Sequence, residues 1–310
     1  MRQLCLLSIL AAALLAPARG ASPFAGRWDI TVTAPNATYP GWMELVEKDG
    51  QPQVRVQPRS GSVRPATGVK LSGRSLSLVL TPATPKRPEV TWELTVAGDR
   101  LTGTQKRGGA PAGQLAGVRA PALKRQPPKA WTAPEPLFNG KDLTGWEPDI
   151  PANNHWVARD GVLLNESKGA NLRTTRKFDD FKLHLELNCP EDGNSGVYLR
   201  GRYEMQVEYE PAGTEDAYHA MGAIYGMVAA KAGMPRKAGQ WETFDITLVG
   251  RNLTIVRDGV TIIDNQEIAG ITGGALDSRE GEPGPFYIQG DHTGGMKFRN
   301  VTISVPGAGR

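Results

Sequence analysis

Polar and apolar side chains alternate along residues 202–210, with a polar residue at every even position and an apolar or aromatic one at every odd position. This period of two predicts a β-strand with one polar face and one buried face. Side chains on one face of a strand follow each other at roughly 7 Å, so the charges are concentrated along one line. We interpret the row as the floor of a polar cleft the size of a sugar, with a solvated sheet face as the alternative. The row consists of Arg202, Glu204, Gln206, Glu208 and Glu210.

Three other features could contribute to chemistry at this cleft. Residues 194–200 precede the row and predict a turn followed by a second short strand. His292, in a glycine-flanked turn, is a candidate base because its pKa lies near neutrality, although it could equally cap the loop. Tyr225 and Trp241 could stack on sugar rings or form the rim of the core.

These residues must be positioned by β-structure. The chain has 310 residues with 37 glycines and 24 prolines, and its aromatic and β-branched residues are spread over many short segments. This composition predicts short strands joined by turns, and no segment has the pattern of an amphipathic helix. The sequence therefore predicts an all-β protein with two domains.

Residues 1–20 resemble a secretory signal peptide, with Arg2 before an apolar run and small residues before Gly20. We therefore expect a secreted or periplasmic protein without a transmembrane segment in the mature chain. Removal of this segment leaves Cys189 as the one cysteine, which excludes an intramolecular disulfide. Because Cys189 falls on the apolar phase of a strand, we expect a buried, inert thiol.

Residues 21–123 read as consecutive antiparallel strands separated by turns, which predicts a small barrel or sandwich. The opening Gly26-Arg27-Trp28 is similar to the start of lipocalin-like barrels. Residues 21–136 carry 16 Lys and Arg against 8 Asp and Glu, a net charge of +8, and residues 137–310 carry −6. No arginine-rich arm or basic–aromatic pattern indicates nucleic-acid binding.

A proline-rich segment, residues 124–136, predicts a stiff linker to a second domain. Residues 137–305 contain further alternating segments, such as Phe181 to Cys189, and predict a two-sheet antiparallel jelly roll. Residues 306–310 are predicted to form a tail after this domain. The oligomeric state is not indicated by the sequence.

Several motifs of this second domain, in fixed order, resemble the 3-keto-disaccharide hydrolase family. They are LFNGKDLTGW, FDDFKLHLEL, NSGVYLRGRYEMQV, GAIYG, AGQWETFDI, GGALDSREGEPGP and IQGDH…FRNVTI, and they span about residues 137–305. The resemblance implies a concanavalin-like (lectin/glucanase-type) jelly roll. It also implies hydrolysis of glycosides whose sugar ring is oxidised at C3.

The family motifs map onto particular residues of this chain. They fall on Asn194, Ser195, Gly196, Arg200, Tyr203, Glu204, Gln206, Gly239, Trp241, Gln289, Asp291 and His292. Two positions depart from the common pattern: Tyr209 stands where many members have Asp, and Glu242 where many have Asn. If that Asp is a base or a metal ligand, Glu208 or Glu210 must replace it.

The resemblance implies a specific reaction, because a ketone at C3 acidifies the proton at C2. A base removes that proton, the C1 substituent leaves, and water adds back. We predict His292 as base, Glu204 as alternative base or proton donor, and Arg200 as the group that stabilises the enolate. Substrate-binding residues are predicted to be Asn194, Gln206, Glu208, Tyr225, Trp241 and Gln289.

Other options remain open at this point. A divalent metal held by His292, Asp291 and Glu204 could stabilise the enolate, or no cofactor is needed. A two-carboxylate glycosidase mechanism is a competing reaction, but Glu204 and Glu208 lie roughly 13–14 Å apart along the strand. A non-catalytic, lectin-like carbohydrate-binding module is the alternative to an enzyme.

Overall fold

The computed structural model describes residues 22–80, 87–209 and 216–307. Within these ranges the chain is all-β, apart from one 3₁₀ turn at Pro151–Asn153. No helix of the described residues is long and apolar enough to cross a membrane. The predicted signal peptide, residue Glu210 and residues 308–310 of the tail lie outside the described ranges.

The first nine strands form one antiparallel sheet in which each strand pairs with its neighbour in sequence, apart from β4 and β5. Strand β1 also pairs with β9, so the meander returns on itself, and β5 approaches β3 across the remaining seam. The predicted small barrel is therefore confirmed as a nearly closed, up-and-down arrangement. The strands are β1 Gly26–Ala34, β2 Ala37–Lys48, β3 Gln51–Gln57, β4 Arg64–Pro65, β5 Thr67–Ser72, β6 Ser75–Leu80, β7 Val90–Ala97, β8 Arg100–Arg107 and β9 Ala110–Arg119.

Alternation along the strands creates the interior of this barrel. Trp28, Ile30 and Val32 of β1 are fully buried, and they meet buried residues of β7 such as Trp92 and Leu94 in one apolar cluster. Successive side chains of a strand point to opposite faces, so the sequence pattern alone decides which face becomes the core.

The remaining strands form two sheets. The larger sheet has the order β12-β13-β22-β15-β18-β19-β20, with β10 also paired to β22, and the smaller has the order β11-β14-β21-β16-β17. The strands are β10 Glu135–Pro136, β11 Trp146–Pro148, β12 Trp156–Arg159, β13 Val162–Asn165, β14 Leu172–Thr174, β15 Phe181–Asn188, β16 Asn194–Leu199, β17 Tyr203–Glu208, β18 Trp241–Val249, β19 Asn252–Arg257, β20 Val260–Glu267, β21 Tyr287–Ile288 and β22 Lys297–Ser304.

The two sheets pack face to face, as expected for the predicted jelly roll. Leu183 and Leu185 of β15 belong to the same apolar core as Met205 and Val207 of β17. The odd residues of β17 thus face the larger sheet, and the even residues point to the opposite face of the smaller sheet. Cys189 is buried in this core, and burial raises its thiol pKa to about 12, which leaves it unreactive.

The segment between barrel and jelly roll is fastened to the second unit. Arg125 donates to Asp180 at 2.8 Å and forms an ion pair with Asp179. Farther along, Trp131 bridges to Pro306, and strand β10 pairs with β22. Residues 124–136 therefore form a fixed connection along the jelly roll, which the proline content alone did not indicate.

The barrel packs directly against the jelly roll through Trp42. This side chain is fully buried with Ala269, Ile271 and Ala275 of the loop that follows β20. Gly270 is required at this contact because a Cβ atom there would overlap Nε1 of Trp42. On the surface, Arg27 of the barrel forms an ion pair with Glu267.

A buried acidic pair crosses the same interface. Asp29 of β1 is 4% exposed and faces Glu280 of the jelly roll, which is fully buried and pairs with Arg251 at 2.7 Å. Burial, followed by repulsion from Glu280, raises the pKa of Asp29 to about 9. Asp29 is therefore protonated in the folded protein at neutral pH.

This pKa makes the stability of the interface dependent on pH. The folded state holds the Asp29 proton up to about pH 9, whereas the unfolded chain releases it near the ordinary aspartate pKa of 3.8. The free energy of unfolding therefore falls as pH rises between these two values. For one group this slope approaches roughly 1.4 kcal/mol per pH unit.

We expect Asp29→Asn to reduce the slope and to stabilise the protein at pH 8, as measured by urea unfolding at several pH values. Asp49→Asn, in an exposed turn, is the control; an unchanged slope for Asp29→Asn would contradict the assignment.

Candidate active site

A hollow of about 300 Å³ lies on the outer face of the smaller jelly-roll sheet. A hollow of this volume has room for a sugar ring, since a cavity of about 150 Å³ already holds a benzene ring. This hollow is lined by eight of the residues that the sequence predicted for the site, although they come from four separate segments. They are Asn194, Glu204, Gln206, Glu208, Tyr225, Gln289, Asp291 and His292.

Strand register brings these residues together. Strand β16 pairs with β17 so that Tyr198 lies opposite Glu204 and Gly196 opposite Gln206. The N–H of Gln289 donates to the carbonyl of Gly196 at 3.0 Å and places the 289–292 turn beside them. Gly196 itself cannot be replaced without displacement of Glu204, because a Cβ atom would overlap the Oε1 atom of that side chain.

The polar face of β17 is buried, not solvated as in the alternative interpretation. Glu204 is 5% and Gln206 2% exposed. Thr272, in the loop after β20, accepts the N–H of Glu204 at 3.0 Å. At the start of the row, Arg202 donates to Asp277 at 2.8 Å and so belongs to the covering loop, not to the hollow.

Glu204 is the most strongly perturbed carboxyl of the hollow. Burial raises its pKa to about 8, although the neighbouring Tyr198 hydroxyl and His292 both act to lower it. The hydroxyl of Tyr198 donates to the carbonyl of Gly273 at 2.8 Å and accepts from Gln289 at 2.9 Å. At neutral pH Glu204 is therefore mostly protonated and can act as an acid.

His292 and Asp291 form an ion pair at the rim of the hollow. Nδ1 of His292 lies 2.7 Å from Oδ1 of Asp291. This hydrogen bond raises the pKa of the imidazole and lowers the pKa of the Asp291 carboxyl. When His292 is neutral, donation from Nδ1 to Asp291 leaves the Nε2 lone pair available to accept a proton. Asn171 holds the turn by accepting the N–H of Gly290 at 2.8 Å.

Arg200, predicted to stabilise an enolate, does not line the hollow. Its guanidinium is fully buried and donates to the carbonyl oxygens of Asp179 at 2.8 Å and Gly250 at 2.6 Å. The residue lies at the turn between β16 and β17 with a φ of 55°, the left-handed conformation. This local backbone reversal breaks the strand alternation, and the prediction for Arg200 is wrong.

Trp241 also lies away from the hollow, contrary to its predicted role in substrate binding. It begins β18 on the larger sheet, where Arg299 stacks on its ring at 4.0 Å. Tyr225, in contrast, is fixed beside the hollow because its N–H donates to the carbonyl of Glu204 at 3.0 Å. Of the two aromatic candidates, Tyr225 alone can contact a ligand bound here.

The donor set does not fit the suggested metal site. Among the described residues, no group of three His, Cys, Asp or Glu side chains is arranged to hold a metal ion. Nδ1 of His292 lies within hydrogen-bonding distance of Oδ1 of Asp291, so these two side chains pair with each other. In this arrangement Glu204, Asp291 and His292 therefore do not form the predicted set of metal ligands.

Several residues of the hollow were missed in the sequence. Arg59, Ser60 and Gly61 come from the barrel loop between β3 and β4 and form part of the wall. The carbonyl of Arg59 accepts the N–H of Gly274 at 3.1 Å, which ties this loop to the jelly roll. No local sequence signal marks these residues, because the contact exists only after the two units dock.

The two departures from the family pattern lie in contact with each other. The hydroxyl of Tyr209 donates to Glu242, and Glu242 pairs with Arg257 beneath it. All three side chains are buried on the core side of β17, outside the hollow. Position 209 thus faces the core and Glu208 the hollow, while Glu210, the other predicted replacement, lies outside the described residues.

Comparison with known proteins gives one family match and several similar crystal structures. The family described as the 3-keto-alpha-glucoside-1,2-lyase-like domain matches residues 133–304. Three of the similar structures, all from Parabacteroides distasonis ATCC 8503, are provisionally described as glycosyl hydrolases. One is 29% identical over 54% of this chain and 81% of its own, with a TM-score of 0.47. The second is 17% identical, covers 55% of this chain and 92% of its own, and has a TM-score of 0.46. The third is 23% identical, covers 56% of this chain and 100% of its own, and has a TM-score of 0.44.

No curated protein matches this chain. The family match extends over more than half of the sequence and includes every jelly-roll residue that lines the hollow. The chain is therefore a carbohydrate-acting protein, and it belongs to the family of 3-keto-alpha-glucoside-1,2-lyase-like domains.

Proposed function

We propose that the chain is an enzyme that cleaves the glycosidic bond of 3-keto-glycosides by base-assisted elimination followed by hydration. The observation that carries the proposal is the convergence of a neutral acid, Glu204, and a histidine–aspartate pair, His292 and Asp291, on one sugar-sized hollow. The predicted signal peptide, residues 1–20, supports action in a secreted or periplasmic location.

In the first step, Nε2 of His292 takes the proton from C2 of the sugar. The electron pair forms the C1–C2 double bond while the C1–O bond breaks, and the protonated carboxyl of Glu204 supplies a proton to the departing oxygen. Asp291 stabilises the imidazolium that results. The products of this step are the free aglycone and an unsaturated 3-keto sugar.

Hydration completes the net hydrolysis. Water adds its oxygen to C1 and a proton returns to C2, with His292 and the now ionised Glu204 in reversed roles. Asn194, Gln206 and Gln289 supply amide groups for the sugar hydroxyls, and Tyr225 supplies an aromatic contact. If product leaves before water adds, the same residues perform the lyase half of the reaction alone.

Glu204→Gln tests the proton donor directly. The amide keeps the size of the side chain but cannot release a proton, so we expect kcat to fall by about 10²–10⁴ with a smaller change in KM. The measurement is reducing-sugar release from a 3-keto-α-glucoside. The control is Glu147→Gln. Glu147 lies on β11 of the same sheet and forms an exposed ion pair with Arg173 of β14, so this variant should keep the activity of the unaltered protein.

Two results would contradict the proposal. One is full turnover by Glu204→Gln and by His292→Ala. The other is binding of the glycoside by the unaltered protein without turnover, with or without added divalent metal, which would instead support a non-catalytic carbohydrate-binding module.

The pH profile gives a second test. Turnover requires neutral His292 and protonated Glu204, so it should rise through the raised pKa of His292 and fall again near pH 8. Asp291→Asn removes the interaction that raises the pKa of His292, and we expect the acidic limb to move to lower pH. His184 and Asp245 make the same 2.7 Å pair outside the hollow, so Asp245→Asn should leave the profile in place. A profile of Asp291→Asn that coincides with that of the unaltered protein would remove His292 as the base.

A further inference from the structure

A second cavity, of about 170 Å³, opens at one end of the barrel and borders the hollow. Arg59 and Ser60 line both spaces, so the β3–β4 loop is their common wall. A cavity of about 150 Å³ holds one benzene ring, which means that this space accommodates one six-membered ring beside the sugar. The cavity and the hollow thus lie next to each other, on either side of Arg59 and Ser60.

The barrel cavity is positively charged. Arg59, Arg64, Arg87 and Arg107 line it, and none of the residues described in its wall is an Asp or Glu. Arg59, Arg87 and Arg107 make no ion pair with a described residue, whereas most arginines elsewhere in the described chain have a carboxylate partner. Arg59, Arg87 and Arg107 can therefore attract an anion, and the guanidinium group of arginine matches a carboxylate in a bidentate geometry.

The floor of the cavity is suited to a ring that also carries polar groups. Tyr39 and Trp92 provide aromatic surface, and Arg59 lies 5.2 Å from the centre of the Tyr39 ring. Gln57 is fully buried and lines the cavity, and its Oε1 atom has no hydrogen-bond partner in the described part of the chain. The side-chain nitrogen of Gln57 donates to the carbonyls of Pro58 at 2.9 Å and Gly61 at 2.8 Å, which fixes the start of the β3–β4 loop beside the cavity.

We propose that the barrel cavity binds the leaving part of the substrate and that the preferred substrates are glycosides with an anionic ring, such as a uronic acid or an aromatic carboxylate, attached at C1. This inference rests on the proposed function, since it assigns the aglycone site for the same reaction. It gives the basic barrel a role: the hollow holds the oxidised sugar, and the arginines hold the acid.

The test compares two matched substrates, the 4-carboxyphenyl and 4-carbamoylphenyl 3-keto-α-glucosides, which differ in charge but not in shape. We expect kcat/KM to favour the carboxylate by about tenfold, equivalent to about 1.4 kcal/mol, and the preference to shrink as salt is added. The double variant Arg87→Gln/Arg107→Gln should bring the ratio close to one.

Arg100→Gln is the matched control. Arg100 and Arg107 are the first and last residues of β8, so they lie at opposite ends of the barrel, and Arg100 does not line the cavity. The control should retain the preference for the carboxylate, and thermal unfolding of each variant verifies folding. Equal kcat/KM for the two substrates in the unaltered protein, or a preference that survives the double variant, would overturn the inference.

A binding measurement separates this inference from the proposed function. If neither ketoglucoside is turned over, the proposed function fails, and calorimetric titration with the same two compounds then decides the inference alone. Tighter binding of the carboxylate that is lost in Arg87→Gln/Arg107→Gln supports the anion site. Equal binding of both compounds rejects it.

Discussion

The proposed chemistry depends on one physical constraint, the exclusion of water from the carboxyl group of Glu204. Burial raises the pKa of this carboxyl to about 8 even though the neighbouring His292 acts to lower it, so the proton stays in place at neutral pH. The exclusion is achieved by the loop that contains Thr272, Gly273 and Gly274 and by the barrel loop behind it. The barrel is therefore part of the electrostatics of the hollow as well as part of its wall.

The packing of the barrel against the jelly roll depends in turn on a few buried contacts, each of which would cost free energy to break. Trp42 fills a space in the jelly roll that Gly270 leaves open, and Asp29 faces Glu280 across the interface in its neutral form. Both carboxyl groups of that pair could not remain ionised so close together, because burial and mutual repulsion act in the same direction. The interface and the hollow thus use the same principle: each contains a buried carboxyl that keeps its proton.

Alternation of polar and apolar residues was sufficient to predict the two β units and the side of β17 that carries the polar groups. It failed where the backbone departs from a regular strand: Arg200 has a left-handed conformation and points into the packing around Asp180 and Gly250. It also failed for Trp241, because the pattern does not tell which of the two sheets a strand joins. The contribution of Arg59 was not predictable from local sequence, since it arises from contact between units far apart in the chain.

The two positions that depart from the expected family motifs belong to one buried cluster. Tyr209 and Glu242 are far apart in sequence, yet the tyrosine hydroxyl bonds the carboxylate, and Arg257 neutralises it. A lone glutamate at this buried position would cost several kcal/mol without these partners. Tyr209, Glu242 and Arg257 therefore form one buried polar cluster on the core side of β17. Because this cluster lies on the core side, it leaves the opposite face of β17 to Glu204, Gln206 and Glu208, which line the hollow.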